Sequence, residues 1–216
     1  MASGLDLGNA ILGPFPVMQT PAAADDSDAA LVRASQSGQR EAFGQLYQRY
    51  ARMVHGILLA KVPAGEVEDL VHEVFLRALP RLYGLREPSR FGAWLGAIAR
   101  NMAKDFHRRP RAPVEGSGDS ERVEESAAPG ELAQAREAAE ILESVRSLPE
   151  AYRETLILRL VEGMTGPEIA AKTGLSHGSV RVNLTRGMQQ LREKLGQRRA
   201  AAGAGPGAEK EQRRTG

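Results

Sequence analysis

The side chains best equipped for chemistry in this sequence are cations and amides set at helical intervals, which suits holding a polyanion better than breaking a bond. Arg181, Asn183, Thr185, Arg186 and Gln189 share one face of a stretch whose other face carries Val180, Leu184, Met188, Leu191 and Leu195. Arg can pair bidentately with guanine and Asn with adenine, so Arg181 and Asn183 are the sharpest base-reading candidates, whereas Leu184 and Met188 belong to a core. A second group gathers Arg100, Asn101, Lys104 and Arg108 beside Arg90 and Arg109, with Phe91 and Trp94 just ahead. Cations with nearby aromatics suit single-stranded nucleic acid, where a stacked base is worth ~1–3 kcal/mol. Trp94 lies on an apolar stripe, however, and its ring is assigned to packing. A third face collects Glu68, Asp69, His72, Glu73 and Arg77, which by pattern alone reads as a solvated amphipathic surface.

The chain has 216 residues, 29 Lys+Arg against 27 Asp+Glu, and no cysteine, so thiolate metal sites, disulfides and cysteine nucleophiles are excluded. It has no Walker-type phosphate loop. His55, His72, His107 and His177 stand at intervals that suggest no shared metal site, with His55 read as structural and His177 as a phosphate contact. No cofactor and no enzymatic activity are expected. No apolar run approaches the ~18 residues of a membrane helix, and residues 1–27 lack the basic start of a signal peptide, so a cytoplasmic location without membrane insertion is expected.

The small net charge of +2 hides segregation. Residues 77–111 hold nine bases and two acids, residues 112–131 six acids and one base, and residues 165–199 seven bases and two acids. Two basic blocks around an acidic spacer point to two contacts with one polyanion.

The elements that must position these groups are helical. Phe43, Leu46, Tyr47, Tyr50, Val54, Ile57 and Leu58 follow i, i+3, i+4, i+7 spacing, as do Val67, Leu70, Val71, Val74, Phe75 and Ala78, and then Phe91, Trp94, Leu95, Ile98, Ala99 and Met102. Pro63–Gly65 and Leu85–Ser89 separate the three stripes. Residues 110–130 are rich in Pro, Gly, Ser and Glu, which is linker composition. Helical pattern returns over Leu132–Leu148 and Ala151–Glu162. Thr165-Gly-Pro-Glu168 has capping-box form, Gly174 allows a left-handed turn, and Ser176 can cap the next helix. Short helix, glycine turn and longer basic helix form a helix-turn-helix layout; a helical hairpin with a solvated basic face remains the plainer alternative at this point. The fold expected is all-α: two small helical domains on a flexible acidic linker, the C-terminal one a helix-turn-helix, between a disordered leader (1–27) and a disordered tail (200–216).

Three segments resemble one family. Glu68-Asp-Leu-Val-His-Glu-Val-Phe-Leu-Arg77 resembles the second-region helix of sigma-70-type sigma factors, and Phe91–Arg109 is similar to the promoter-melting segment of their extracytoplasmic-function (ECF) subgroup. Leu148–Thr165, with Glu168-Ile-Ala-Ala, resembles their fourth region. The resemblance spans about residues 28–196, with region 2 over 28–109 and region 4 over 131–199. It implies a non-enzymatic initiation subunit whose partners are bacterial core RNA polymerase (the β′ clamp helices and the β flap), promoter DNA and an anti-sigma factor. By the same resemblance Glu68, Asp69, His72, Glu73 and Arg77 dock on the clamp helices. Arg86, Ser89, Arg90, Phe91, Arg100, Asn101, Lys104, Arg108 and Arg109 engage the single-stranded −10 element. His177, Ser179, Arg181, Asn183, Thr185 and Arg186 read the −35 duplex, and the acidic linker follows the polymerase's RNA path.

Two departures stand out. The family commonly has Gln where this chain has His72, and Lys-Ser-Arg-Leu-His-Arg where it has Arg181-Val-Asn-Leu-Thr-Arg186. Loss of Arg and His at positions 183 and 185 implies a shifted −35 preference, toward adenine opposite Asn183. The competing reading is a free-standing helix-turn-helix repressor, which would need neither the Glu68–Arg77 face nor the melting segment.

Overall fold

The structure is a computed structural model that describes residues 25–108 and 129–203. Most of the expected leader, linker and tail lies outside these residues, as does Arg109. Eight α-helices and three single 3-10 turns make up the described chain, with no strand among the described residues.

The first helix, α1 (Asp25–Gln36), turns at Gly38, whose φ of 90° lies in the left-handed region that glycine tolerates, into α2 (Arg40–Leu59). Every residue from Met53 to Leu59 is buried, so this half of α2 is enclosed all round, as a central helix must be. A 3-10 turn at Ala64–Glu66 leads to α3 (Val67–Arg81), which buries Val67, Leu70, Val71, Val74, Phe75 and Ala78. Phe75 meets Phe43 edge-on and Tyr47 at a 4.5 Å centroid distance, holding α3 to α2. The Gln36 amide donates to the carbonyls of both Leu82 and Leu85 at 2.9 Å, tying α1 to the loop before α4 (Phe91–Arg108).

The second set comprises α5 (Pro129–Arg146), α6 (Glu150–Leu160), α7 (Gly166–Thr173) and α8 (His177–Gly203). Helix α5 starts at Pro129, inside the expected linker, because a proline in the first turn lacks only an N–H that has no helical partner there. Helix α8 runs into the expected tail as far as Gly203, through Ala200–Ala202, the strongest helix formers.

The two sets do not stand apart. One apolar core runs through both, joining Ile57, Leu58 and Leu95 of the first to Leu156, Leu158 and Ile169 of the second. A β-carbon on Gly56 would lie 2.7 Å from Leu158 Cδ2, so α2 and α6 meet at van der Waals distance only because position 56 has no side chain.

Candidate nucleic-acid interface

Helices α7 and α8 form the turn the sequence foreshadowed. Glu168 N–H donates to Thr165 Oγ1 at 3.4 Å, and the Glu168 carboxylate takes Thr165 N–H at 2.7 Å, closing the capping box. The Thr165 N–H and, second to it, the Thr165 hydroxyl, which donates to the same carboxylate oxygen at 2.7 Å, hold the Glu168 carboxyl below its ordinary range. Gly174 takes φ 75°, and Ser176 Oγ accepts Ser179 N–H at 3.1 Å to start α8. Val180 and Leu191 are buried, and Leu184 and Met188 pack against the core.

That burial fixes which face of α8 looks outward. His177, Ser179, Arg181, Thr185 and Arg186 are exposed, as is Val182 (41%). At about 100° per residue Val182 falls near the middle of the outward arc, with Arg181 and Thr185 to one side and Arg186 to the other. Asn183 is half-buried at the margin of this arc. Val182 was missed in the sequence reading; its signal was an apolar residue on a polar face.

On α4, Asn101, Lys104 and Arg108 are exposed at i, i+3, i+7 and so form one outward stripe. Arg86, Ser89 and Arg90 are exposed in the preceding loop, where Arg90 pairs with Glu87 at 2.7 Å. Phe91 is different. Its ring is 1% exposed, edge-on to Tyr50 at 5.0 Å and 5.7 Å from Trp94. The expectation that Phe91 faces a nucleic acid is corrected here: the ring anchors the start of α4 in the core. Trp94 packs beside it, as assigned.

Arg100 does not join the outward stripe. Its Nε and Nη2 donate to the two carboxylate oxygens of Glu154 on α6 at 3.0 and 2.6 Å, and this pairing raises the arginine's pKa further. Other ties cross the same seam. His55 Nδ1 lies 2.6 Å from Glu162 Oε1, both residues buried, which makes His55 structural, as read. Arg146 donates to the carbonyls of Leu59 and Val62, and Lys61 pairs with Glu150. Lys172 reaches the Arg49 carbonyl and lies 4.6 Å from the Tyr50 ring centre; burial lowers its pKa, against the pull of Asp28 and Glu168.

On α3, Glu68, Asp69 and His72 are exposed, while Glu73 is half-buried and paired with Arg77. His72 Nδ1 donates to the Glu68 carbonyl at 2.9 Å. Leu76 (71% exposed) lies within this charged group, between Glu73 and Arg77, and Tyr83 (64%) is exposed in the turn that follows α3; both were also missed. Among the described residues no His/Asp/Glu cluster could hold a metal ion, and no described helix is long and apolar enough to cross a membrane.

Comparison with known proteins bears on these three faces. Residues 46–112 match the family model for sigma-70 region 2, and residues 138–191 that for sigma-70 region 4. The ECF RNA polymerase sigma factor BldN of Streptomyces coelicolor is 35% identical over 178 residues, covering 78% of this chain and 67% of that protein. The ECF RNA polymerase sigma-E factor of Escherichia coli K12 is 32% identical over 180 residues, covering 78% and 94%. Among solved structures, CnrH in complex with the cytosolic domain of CnrY is similar at a TM-score of 0.55 and 28% identity, covering 79% of this chain and 97% of that one.

Proposed function

Because this chain belongs to the extracytoplasmic-function subgroup of the sigma-70 family, we propose how its residues divide the work of a sigma factor. The chain directs core RNA polymerase to specific promoters and initiates DNA melting; the assignment of that work to side chains is ours. Residues 28–109 act as region 2, with Glu68, Asp69, His72, Glu73 and Arg77 on the β′ clamp helices. Arg86, Ser89, Arg90, Asn101, Lys104 and Arg108, with Arg109 beyond the described residues, hold the −10 strand, and Arg100 joins them when it leaves Glu154. Residues 131–199 act as region 4. There Arg181, Thr185 and Arg186 face the −35 duplex with His177 and Ser179 at the helix start, Asn183 reaches it from the margin, and the β flap is the polymerase contact. The linker over 110–130 follows the RNA path. The factor works in the cytoplasm without enzymatic activity of its own, and an anti-sigma protein restrains it.

The observation that carries this assignment is the exposure of two basic faces on separate helices, Asn101–Lys104–Arg108 and Arg181–Thr185–Arg186. Phosphate contacts from such faces position a nucleic acid, while base contacts specify it. The repressor reading has no use for the first face and is not favoured.

The test is transcription from a promoter library by purified core polymerase with and without this chain, scored by permanganate-reactive melted DNA. Melting that needs both components is expected, and Lys104→Gln with Arg108→Gln should weaken it at every promoter alike. Tight sequence-specific binding by the chain alone, with no association with core, would return the repressor reading.

A further inference from the structure

Four large apolar side chains stand exposed among the described residues, and three of them fall together. Leu76, Leu79 (42% exposed) and Tyr83 follow at i, i+3 and i+7, the last in the turn Leu82–Gly84 directly after α3. At helical spacing they keep within about 60° of one another and form one stripe. Val74, Phe75, Ala78 and Leu82 take the inward side, so the stripe faces out. A single exposed leucine is ordinary, whereas three apolar side chains in a row mark a contact surface.

Three stretches of the sequence lie outside the described residues, and their chemistry differs. Residues 1–24 hold Leu5, Leu7, Ile11, Leu12 and Phe15. Residues 109–128 offer only Val114 and Val123 as large apolar side chains, and residues 204–216 offer none. Burial of the stripe needs apolar area on both partners, which selects the first stretch. Charge agrees with this choice. Arg81 and Arg86 are exposed on either side of Tyr83 in the chain, and residues 1–24 carry Asp6 with no lysine or arginine to be repelled there.

The attachment point also suits. Gln36, the last residue of α1, donates to the carbonyls of Leu82 and Leu85, which bracket Tyr83. The start of α1 lies about 17 Å from that end, a distance that about six extended residues cover. Position 18 and those before it therefore reach the stripe. From Leu76 to Tyr83 is about 10 Å along the helix, the span of about three extended residues, which matches Leu12 to Phe15.

We propose that residues 5–18 of this chain dock on the Leu76–Leu79–Tyr83 stripe, with Leu12 and Phe15 as the anchors. Leu76 lies between Glu73 and Arg77, so the docked segment covers part of the face assigned above to the β′ clamp helices. The segment and core polymerase then compete, and core binds with an affinity reduced by the fraction that is undocked. That consequence rests on the sigma-factor reading; the docking itself does not.

Photoreactive p-benzoylphenylalanine in place of Tyr83 keeps an aromatic ring on the stripe. Irradiation of the free full-length chain and peptide mass spectrometry should find cross-links within one chain to residues 5–18, in a yield independent of protein concentration. Leu12→Asp with Phe15→Asp, outside the described core, should cut that yield at least about fivefold, as expected when two apolar anchors are lost. With Tyr83 intact, the same double variant should bind core polymerase about three- to tenfold more tightly. The docking is overturned by cross-links only to a second copy or to residues 109–128, by none at all, or by a yield within twofold in the double variant. A lost cross-link with unchanged core affinity overturns the competition. If neither protein associates with core, the sigma reading fails, while the cross-link still decides the docking.

Discussion

A β-carbon on Gly92 would stand 2.3 Å from the carbonyl oxygen of Lys172 and 2.8 Å from Cε1 of Tyr50. The first of these is backbone and cannot swing aside. Gly92→Ala must therefore push α7 away from α4, and overpacking of this kind costs about 1–3 kcal/mol. Tyr50 and Phe91 hold α4 to α2 independently of α7, so separation of the two helical sets is expected before loss of helix. Energy transfer between dyes on cysteines introduced at the exposed Gln45 of α2 and Gln189 of α8 should fall while far-ultraviolet circular dichroism persists. Unchanged transfer would mean that the two backbones do not meet in solution.

Arg146 supplies a different kind of join. Its guanidinium donates to the carbonyls of Leu59 and Val62, at the end of α2, from a side chain that is 19% exposed. Carbonyls at a helix C-terminus lack intrahelical donors and need partners from elsewhere. Arg146→Ala strands them in a largely buried site, and a stability loss of about 1–3 kcal/mol is expected. For a chain of this size that lowers Tm by roughly 2–12 °C. Arg146→Lys should recover only part, since one ammonium cannot reproduce the planar fork.

Thr165→Ala removes the oxygen that caps α7, at an expected cost of about 0.5–2 kcal/mol. The acid side of the box adds a pH signature. The Glu168 carboxyl is held below its ordinary range by hydrogen bonds from Thr165, so its ionised form is favoured in the folded chain. That contribution is full above the unfolded glutamate value of about 4.3 and is lost as pH falls through the lower folded value. Glu168→Gln keeps the box geometry but not the charge. Thermal melts of the two proteins should differ at pH 7 and converge in acid; a constant gap across pH would rule out an ionic origin.

These predictions differ in how far the sequence already contained them. The capping box, the Gly174 turn and the three apolar stripes follow from local patterns, because a helix's inward face is written into its periodicity. The inward roles of Trp94, Leu184 and Met188 came from the same logic. Phe91 stood on the same apolar stripe and is buried as that stripe implies; its place against the −10 strand came from the family resemblance instead, and Tyr50 from another helix claims its ring. The Arg100–Glu154 pair spans 54 residues, and no local period encodes such a contact. The contact of Lys172 with the Arg49 carbonyl spans 123. Nor does charge segregation reveal it, since the acids that face Arg100 lie on α6, outside the acidic spacer.

Helix α8 offers the sharpest case of structure refining sequence. Asn183 was singled out for its amide, but it is half-buried at the margin of the outward face, whose middle is held by Val182. A branched apolar side chain there can discriminate only by contact with a thymine methyl in the major groove. Val182→Ser should therefore relax a thymine preference at one −35 position, while Asn183→Arg should change preference at a neighbouring position nearer the duplex backbone. Each lost specific contact is worth ~1–3 kcal/mol, or a roughly 5- to 150-fold change in enrichment at that position. Selection from a promoter library randomised over the −35 element, run with polymerase and each variant, reads both effects together. If Val182→Ser leaves every position unaltered while Asn183→Arg shifts one, the margin rather than the middle of α8 does the reading, and the helix enters the groove rotated toward Asn183.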